Sequence, residues 1–352
     1  MSADAQAIAV GMPVEIGKID RELKKLWEQG GETMARASLI NLAVYSEAPD
    51  SLAANTQNIA QITADHACRA IVIAATPSRA EDRIEAWISA HCHVSRAGNA
   101  HVCSEQISFS LEGSFTRLLP NIVFSHLDSD LPFYLWWQGE FHDPMDPQLW
   151  TWVDRLIFDS QTWSDFEAQM ILVETARAES NQRAVLCDLN WTRLVHLRLA
   201  LAQFFDHAAS LSQLAELERV EIDFAPGFRS TALLLAGWLC AQLGWTIADK
   251  ADENSFHFTD PCGRPLAVVL RETAGDPVSR CSIFCGNTEF RVIGPPDTDL
   301  LEISLHVNGD QRMHQLMPAG GHGPVALMSE ELMRGGSHRL YLRAVEAVRD
   351  LR

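Results

Sequence analysis

Positive charge is what this sequence has least of. Only 28 Lys and Arg stand against 46 Asp and Glu, a formal net charge of −18 over 352 residues, and no Lys/Arg-rich block offsets it locally. A field of that sign repels phosphate backbones and anionic membrane surfaces, so neither nucleic acid nor a membrane is an expected partner. Long apolar runs are missing as well: the most apolar stretch, STALLLAGWLCAQLGW, is too short to span a bilayer. The opening MSADAQAIAVGMPVEIGKID has no basic start and no apolar core, so no signal peptide is expected. A cytoplasmic location follows as the expectation, with eight cysteines scattered along the chain and kept as thiols. Four catalytic signatures are also absent: G-x-G-x-x-G after a strand, G-x-x-x-x-G-K-[ST], H-E-x-x-H and G-x-S-x-G.

What is present is a globular pattern in two parts. Ile16, Ile19, Leu23 and Leu26 recur at helical spacing and predict a helix over residues 15–29, within an arm of residues 1–34. ASLINLAVYS and ACRAIVIAATP are near-continuous apolar runs separated by a helical stretch, the pattern of strands buried on both faces of a parallel sheet. The spacing of Ser78 and Glu81 matches a capping box and predicts a helix running toward His91. CSEQISFSL alternates, with Ile107, Phe109 and Leu111 inward and Ser108 and Ser110 on a wetter face. GSFTRLLPNIVFSHLDSD reads as a helix with a kink at Pro120, and FYLWW and LIFDS read as strands. Beyond residue 180 the helical spacing of Leu194, Leu197, Leu201 and Phe204 is followed by VEIDF, an apolar helix, and strand after strand to about Leu316. The expected architecture is α/β: a mostly parallel α/β domain over 35–180, then an α+β domain with an antiparallel sheet over 181–352.

The residues that could carry chemistry are few. His91, Cys92, His93, His101 and Cys103 hold zinc-competent side chains, but in a strand Cys92 points away from His91 and His93, so no metal site is assigned. Cys281 and Cys285 form C-x-x-x-C, a weak redox candidate, because residues four apart in a strand lie too far apart for a disulfide. Trp136 and Trp137 would cover both faces of one central strand, which makes them core. The open end after them, Gln138–Phe141, is then the functional part, since ligands of open α/β sheets bind at strand carboxyl ends. No catalytic residue and no cofactor is assigned.

Four segments resemble one family. Leu131-Pro132 with Leu135-Trp136-Trp137 and Gly139, Cys68-Arg69-Ala70-Ile71-Val72, Asp154-Arg155-Leu156-Ile157 with Asp159-Ser160, and Asp188-Leu189-Asn190-Trp191-Thr192-Arg193-Leu194 are similar, in order, to segments of the OpcA family, the glucose-6-phosphate dehydrogenase assembly proteins. The likeness covers residues 35 to 350, and DLNWTRL is its most specific piece. It implies a non-catalytic protein that binds glucose-6-phosphate dehydrogenase and promotes its active oligomer, in support of the oxidative pentose phosphate pathway and NADPH supply. The candidates for contact with that partner are Trp137, Gln138, Gly139, Asp188, Asn190, Trp191, Thr192 and Arg193; for DLNWTRL the alternative is structural, with Trp191 as a core anchor and Arg193 paired with Asp188. The rival readings are a sugar-phosphate-binding protein or enzyme with a pocket at the strand ends of the α/β domain, and a thiol or metal redox sensor.

Overall fold

The structure, a computed structural model, describes residues 10–29, 34–48, 50–94, 101–142, 147–179, 183–334 and 339–351. It is mixed α/β, with one largely parallel sheet and one largely antiparallel sheet, as the apolar patterning predicts. The chain divides into two compact units, Met1–Asp188 with Met328–Gly335, and Leu189–Leu327 with Gly336–Arg352.

The first unit is built on nine strands: β1 (Met12–Val14), β2 (Met34–Arg36), β3 (Ile40–Ser46), β4 (Cys68–Thr76), β5 (Arg83–Val94), β6 (His101–Glu112), β7 (Phe133–Gln138), β8 (Arg155–Phe158) and β9 (Val185–Asp188). They lie in the order β1-β5-β6-β4-β3-β7-β8-β9, with β2 beside β6. All pairs are parallel except β1–β5 and β5–β6. If the six parallel strands β3, β4, β6, β7, β8 and β9 are counted in chain order, their spatial order is three-two-one-four-five-six. That is the doubly wound order of sheets that bind nucleotides, with a switch point between β3 and β7. Continuous burial of Leu42, Ala43, Val44 and Tyr45 on β3 and of Ala70–Ile73 on β4 explains why both strands read as unbroken apolar runs. The longer helices are α1 (Ile19–Gln29), α2 (Ser51–Ile62), α3 (Leu119–His126) and α4 (Phe166–Glu179).

Three expectations are corrected here. The stretch after Ser78 is no helix: β5 runs from Arg83 to Val94, because R-I-E-A-W-I-S alternates and buries Ala86 and Ile88 on one face. Pro120 does not kink a helix; it stands at the start of α3, where its missing N–H costs nothing. Ser108 is not on a wet face but buried, and accepts a 2.7 Å hydrogen bond from Gln106 Nε2, which also donates to Thr56.

The second unit carries eight strands: β10 (Leu217–Phe224), β11 (Thr246–Asp252), β12 (Ser255–Thr259), β13 (Pro265–Glu272), β14 (Val278–Cys285), β15 (Thr288–Ile293), β16 (Leu300–Val307) and β17 (Asp310–Pro318). Their order is β11-β12-β13-β10-β14-β15-β16-β17, and every pair is antiparallel except β10–β13. The helices that follow the numbering are α5 (Val195–Gln203), α6 (Arg229–Leu243), α7 (Pro324–Arg334) and α8 (Arg339–Leu351); α7 passes from the second unit into the first at Met328. Helix α6 is apolar nearly all round and almost wholly buried. Gly237 lets it approach α8 closely: a Cβ there would stand 2.5 Å from the Ala344 carbonyl oxygen. One face of the sheet is apolar, with Val220, Val268, Ile283 and Phe290 in register across four strands. Phe204, just after α5, meets Phe290 edge-on, and Phe205 meets it at a tilt.

Candidate functional site

In the first unit, the carboxyl ends of β3 and β7 flank the switch point. The turn that follows β3 has no glycine in the place where a nucleotide-binding sheet cradles pyrophosphate. Instead it presents Glu47, which accepts a 2.7 Å hydrogen bond from the Tyr45 hydroxyl and lies 3.3 Å from His142 Nε2. Burial pushes the Tyr45 phenol well above its usual range, with the Glu47 bond adding to the shift. Beside it, Asn55 and Gln138 exchange two side-chain amide hydrogen bonds of 2.8 Å each, tying α2 to the end of β7. Gly139 follows at φ +96°, exposed, with nothing within 4 Å of where a Cβ would point. Its carbonyl accepts a bond from Trp163 Nε1, and Glu140 accepts a 2.6 Å bond from the Ser164 amide; the Ser164 side chain first, and then that amide, hold the Glu140 carboxyl below its ordinary value.

Trp136 and Trp137 are both buried, one on each face of the central strand β7, as a core role requires. Trp137 stacks on Tyr45 with ring centroids 4.1 Å apart and on Phe141 at 5.2 Å, and its indole N–H donates to the Glu140 carbonyl. Trp137 is 7% exposed.

Most polar residues of the four family-like segments are likewise engaged within the fold. Arg69 pairs at 2.7 Å with Glu105, a carboxylate only 1% exposed that also receives Arg36 and Trp27 Nε1. Asp154 accepts from the Phe133 amide and so fixes the start of β7. Arg155 lies 3.5 Å from buried Glu331 and donates to Cys187 Sγ. Asp188, at the end of β9, accepts from both the Ser160 amide (3.0 Å) and its hydroxyl (2.6 Å). Two of the segments therefore meet at Ser160 and Asp188.

In the second unit, Leu189–Thr192 forms one helical turn, buried throughout. Asn190 Oδ1 accepts from the Thr231 hydroxyl at 2.5 Å and from Arg193 Nη1 at 3.3 Å, while its Nδ2 donates to Ser230. Trp191 is sandwiched between Tyr341 and the Arg198 guanidinium, 3.4 Å above its ring. A cation on an indole face, desolvated, is a strong local anchor. The side chains of Trp137, Asp188, Asn190, Trp191 and Thr192 are thus buried within the fold. Of the candidates, Gln138, Gly139 and Arg193 retain accessible surface; Arg193 also lies 5.6 Å from the Phe228 ring.

The cysteine expectations change too. Cys92 and Cys103 face one another across β5 and β6 and are joined as a disulfide, so these two are not thiols. His91 bonds Gln106 at 2.9 Å and His93 bonds Thr63 at 3.2 Å. Among the described residues no group of three His, Cys, Asp or Glu converges as a metal site would need. Cys281 and Cys285 are buried free thiols on β14, each pushed by burial up to about 12, which leaves almost no reactive thiolate near neutral pH.

The comparisons with known proteins fall on both units. The model described as the glucose-6-phosphate dehydrogenase subunit N-terminal domain matches residues 59–175, and that of the C-terminal domain of the same subunit matches residues 184–345. The chain belongs to the OpcA family of glucose-6-phosphate dehydrogenase assembly proteins. Among relatives, a protein of Synechocystis sp. provisionally called OxPP cycle protein OpcA is 24% identical, over 91% of this chain and 71% of that protein. One of the same provisional name from Synechococcus elongatus is 25% identical, over 82% of this chain and 68% of that protein. An oxidoreductase domain protein from Kribbella flavida shares the fold at 9% identity and a TM-score of 0.50, over 90% of this chain and 96% of that one. All four OpcA-like segments read from the sequence lie within these matches. The residues that the sequence did not single out are Glu105 and Glu331, buried acids whose arginine partners lie far away in the chain. For Glu105 the only signal was an acidic residue within a strand; Glu331 lies on helix α7, where an acid is ordinary and gives no signal.

Proposed function

We propose that this OpcA-family protein performs no chemistry of its own and acts by binding glucose-6-phosphate dehydrogenase, holding the enzyme's active oligomer more tightly than its inactive state. A partner shifts such an equilibrium only by its difference in affinity for the two states. The observation that carries the reading is the pair of family matches spanning both units. The switch point supports it. In a sheet of nucleotide-binding order, the crevice is occupied by the Asn55–Gln138 amide pair, and an acid, Glu47, stands where a phosphate would need backbone N–H groups. The accessible candidates Gln138, Gly139 and Arg193 are the part of the proposed contact that a partner could reach. A cytoplasmic site of action fits the reading; no helix among the described residues is long and apolar enough to cross a membrane.

The test is kinetic and hydrodynamic. Glucose-6-phosphate dehydrogenase of the same organism is assayed with and without this protein, and the mixture is run on a sizing column. The expected result is co-elution with a lower KM for glucose 6-phosphate or a higher kcat. Arg193→Ala, folded by circular dichroism, should weaken the activation about tenfold, the scale of one lost charged contact. No complex and no kinetic change would defeat the assembly reading, and full activation by Arg193→Ala would remove that residue from the contact.

A further inference from the structure

We draw no further inference here: the strongest candidate, the cleft of about 630 Å³ between helix α1 and strands β2, β4 and β6, lined by Asp20, Trp27, Arg36, Arg69 and Glu105, carries nothing, because Glu105 already takes up both arginines and the Trp27 N–H and nothing in the structure shows what would fill it.

Discussion

Asn190 shows what a family-specific residue does when its side chain is wholly buried. One amide accepts from Thr231 and Arg193 and donates to Ser230, so the single helical turn of Leu189–Thr192 is pinned to the start of α6. Removing it leaves the Thr231 hydroxyl buried with its main acceptor gone, which costs about 1–3 kcal/mol. Asn190→Ala should therefore lower the unfolding free energy by that amount, read as a lower urea midpoint at unchanged slope on the isolated protein, with no dehydrogenase present. A variant as stable as the wild type would return Asn190 to the list of partner contacts. Asp188 obeys the same logic in the first unit, where Ser160 supplies two donors.

At the scale of elements, α6 and α8 meet through Gly237. A methyl group placed there stands 2.5 Å from the Ala344 carbonyl oxygen and 2.8 Å from a Val348 methyl. Backbone cannot yield as a flexible side chain does, so Gly237→Ala should cost about 2 kcal/mol or more by overpacking, read as a drop in melting midpoint. The elements themselves were legible wherever the pattern was long. β3 and β4 announce themselves by unbroken apolar runs, and β16 by clean alternation of Leu301 and Ile303 with Glu302 and Ser304. The capping spacing at Ser78 misled because four residues of local chemistry lose to twelve residues of alternating pattern in β5. β9, four residues long, is too short to show a period. The candidate site was legible only as a set of conspicuous residues. Which of them are supports depends on pairings 28 residues apart for Asp188–Ser160 and 41 for Asn190–Thr231, and spacing along the chain does not encode those.

Over the whole molecule, buried imidazoles set the response to acid. Burial holds His91, His126 and His322 below the ordinary histidine value of about 6.5. They are neutral in the folded chain and take up protons more readily when it unfolds. The unfolded state thus binds more protons below about pH 6.5, so stability is full above that pH and is lost as the pH falls through the folded values. The denaturant midpoint should decline from pH 7.5 to pH 5, and His126→Phe, which keeps a ring against Phe109, should flatten part of the decline. A midpoint independent of pH over that range would refute the assignment of these three as buried and neutral.

The chain enters the second unit after Asp188 and returns to the first for Met328–Gly335. That short return carries Glu331, the buried carboxylate 3.5 Å from Arg155, and Ser329, whose backbone bonds His66. On a ribosome making 5–20 residues per second, Arg155 would meet its acid roughly 7–30 s after β9 has been made. Domains usually fold in the order in which they are synthesised, but here the first unit is finished almost last. A nascent chain stalled near residue 200 would hold an incomplete first unit, open to chaperones, and a gene cut at the family's own domain boundary would yield a first half that lacks one of its pieces.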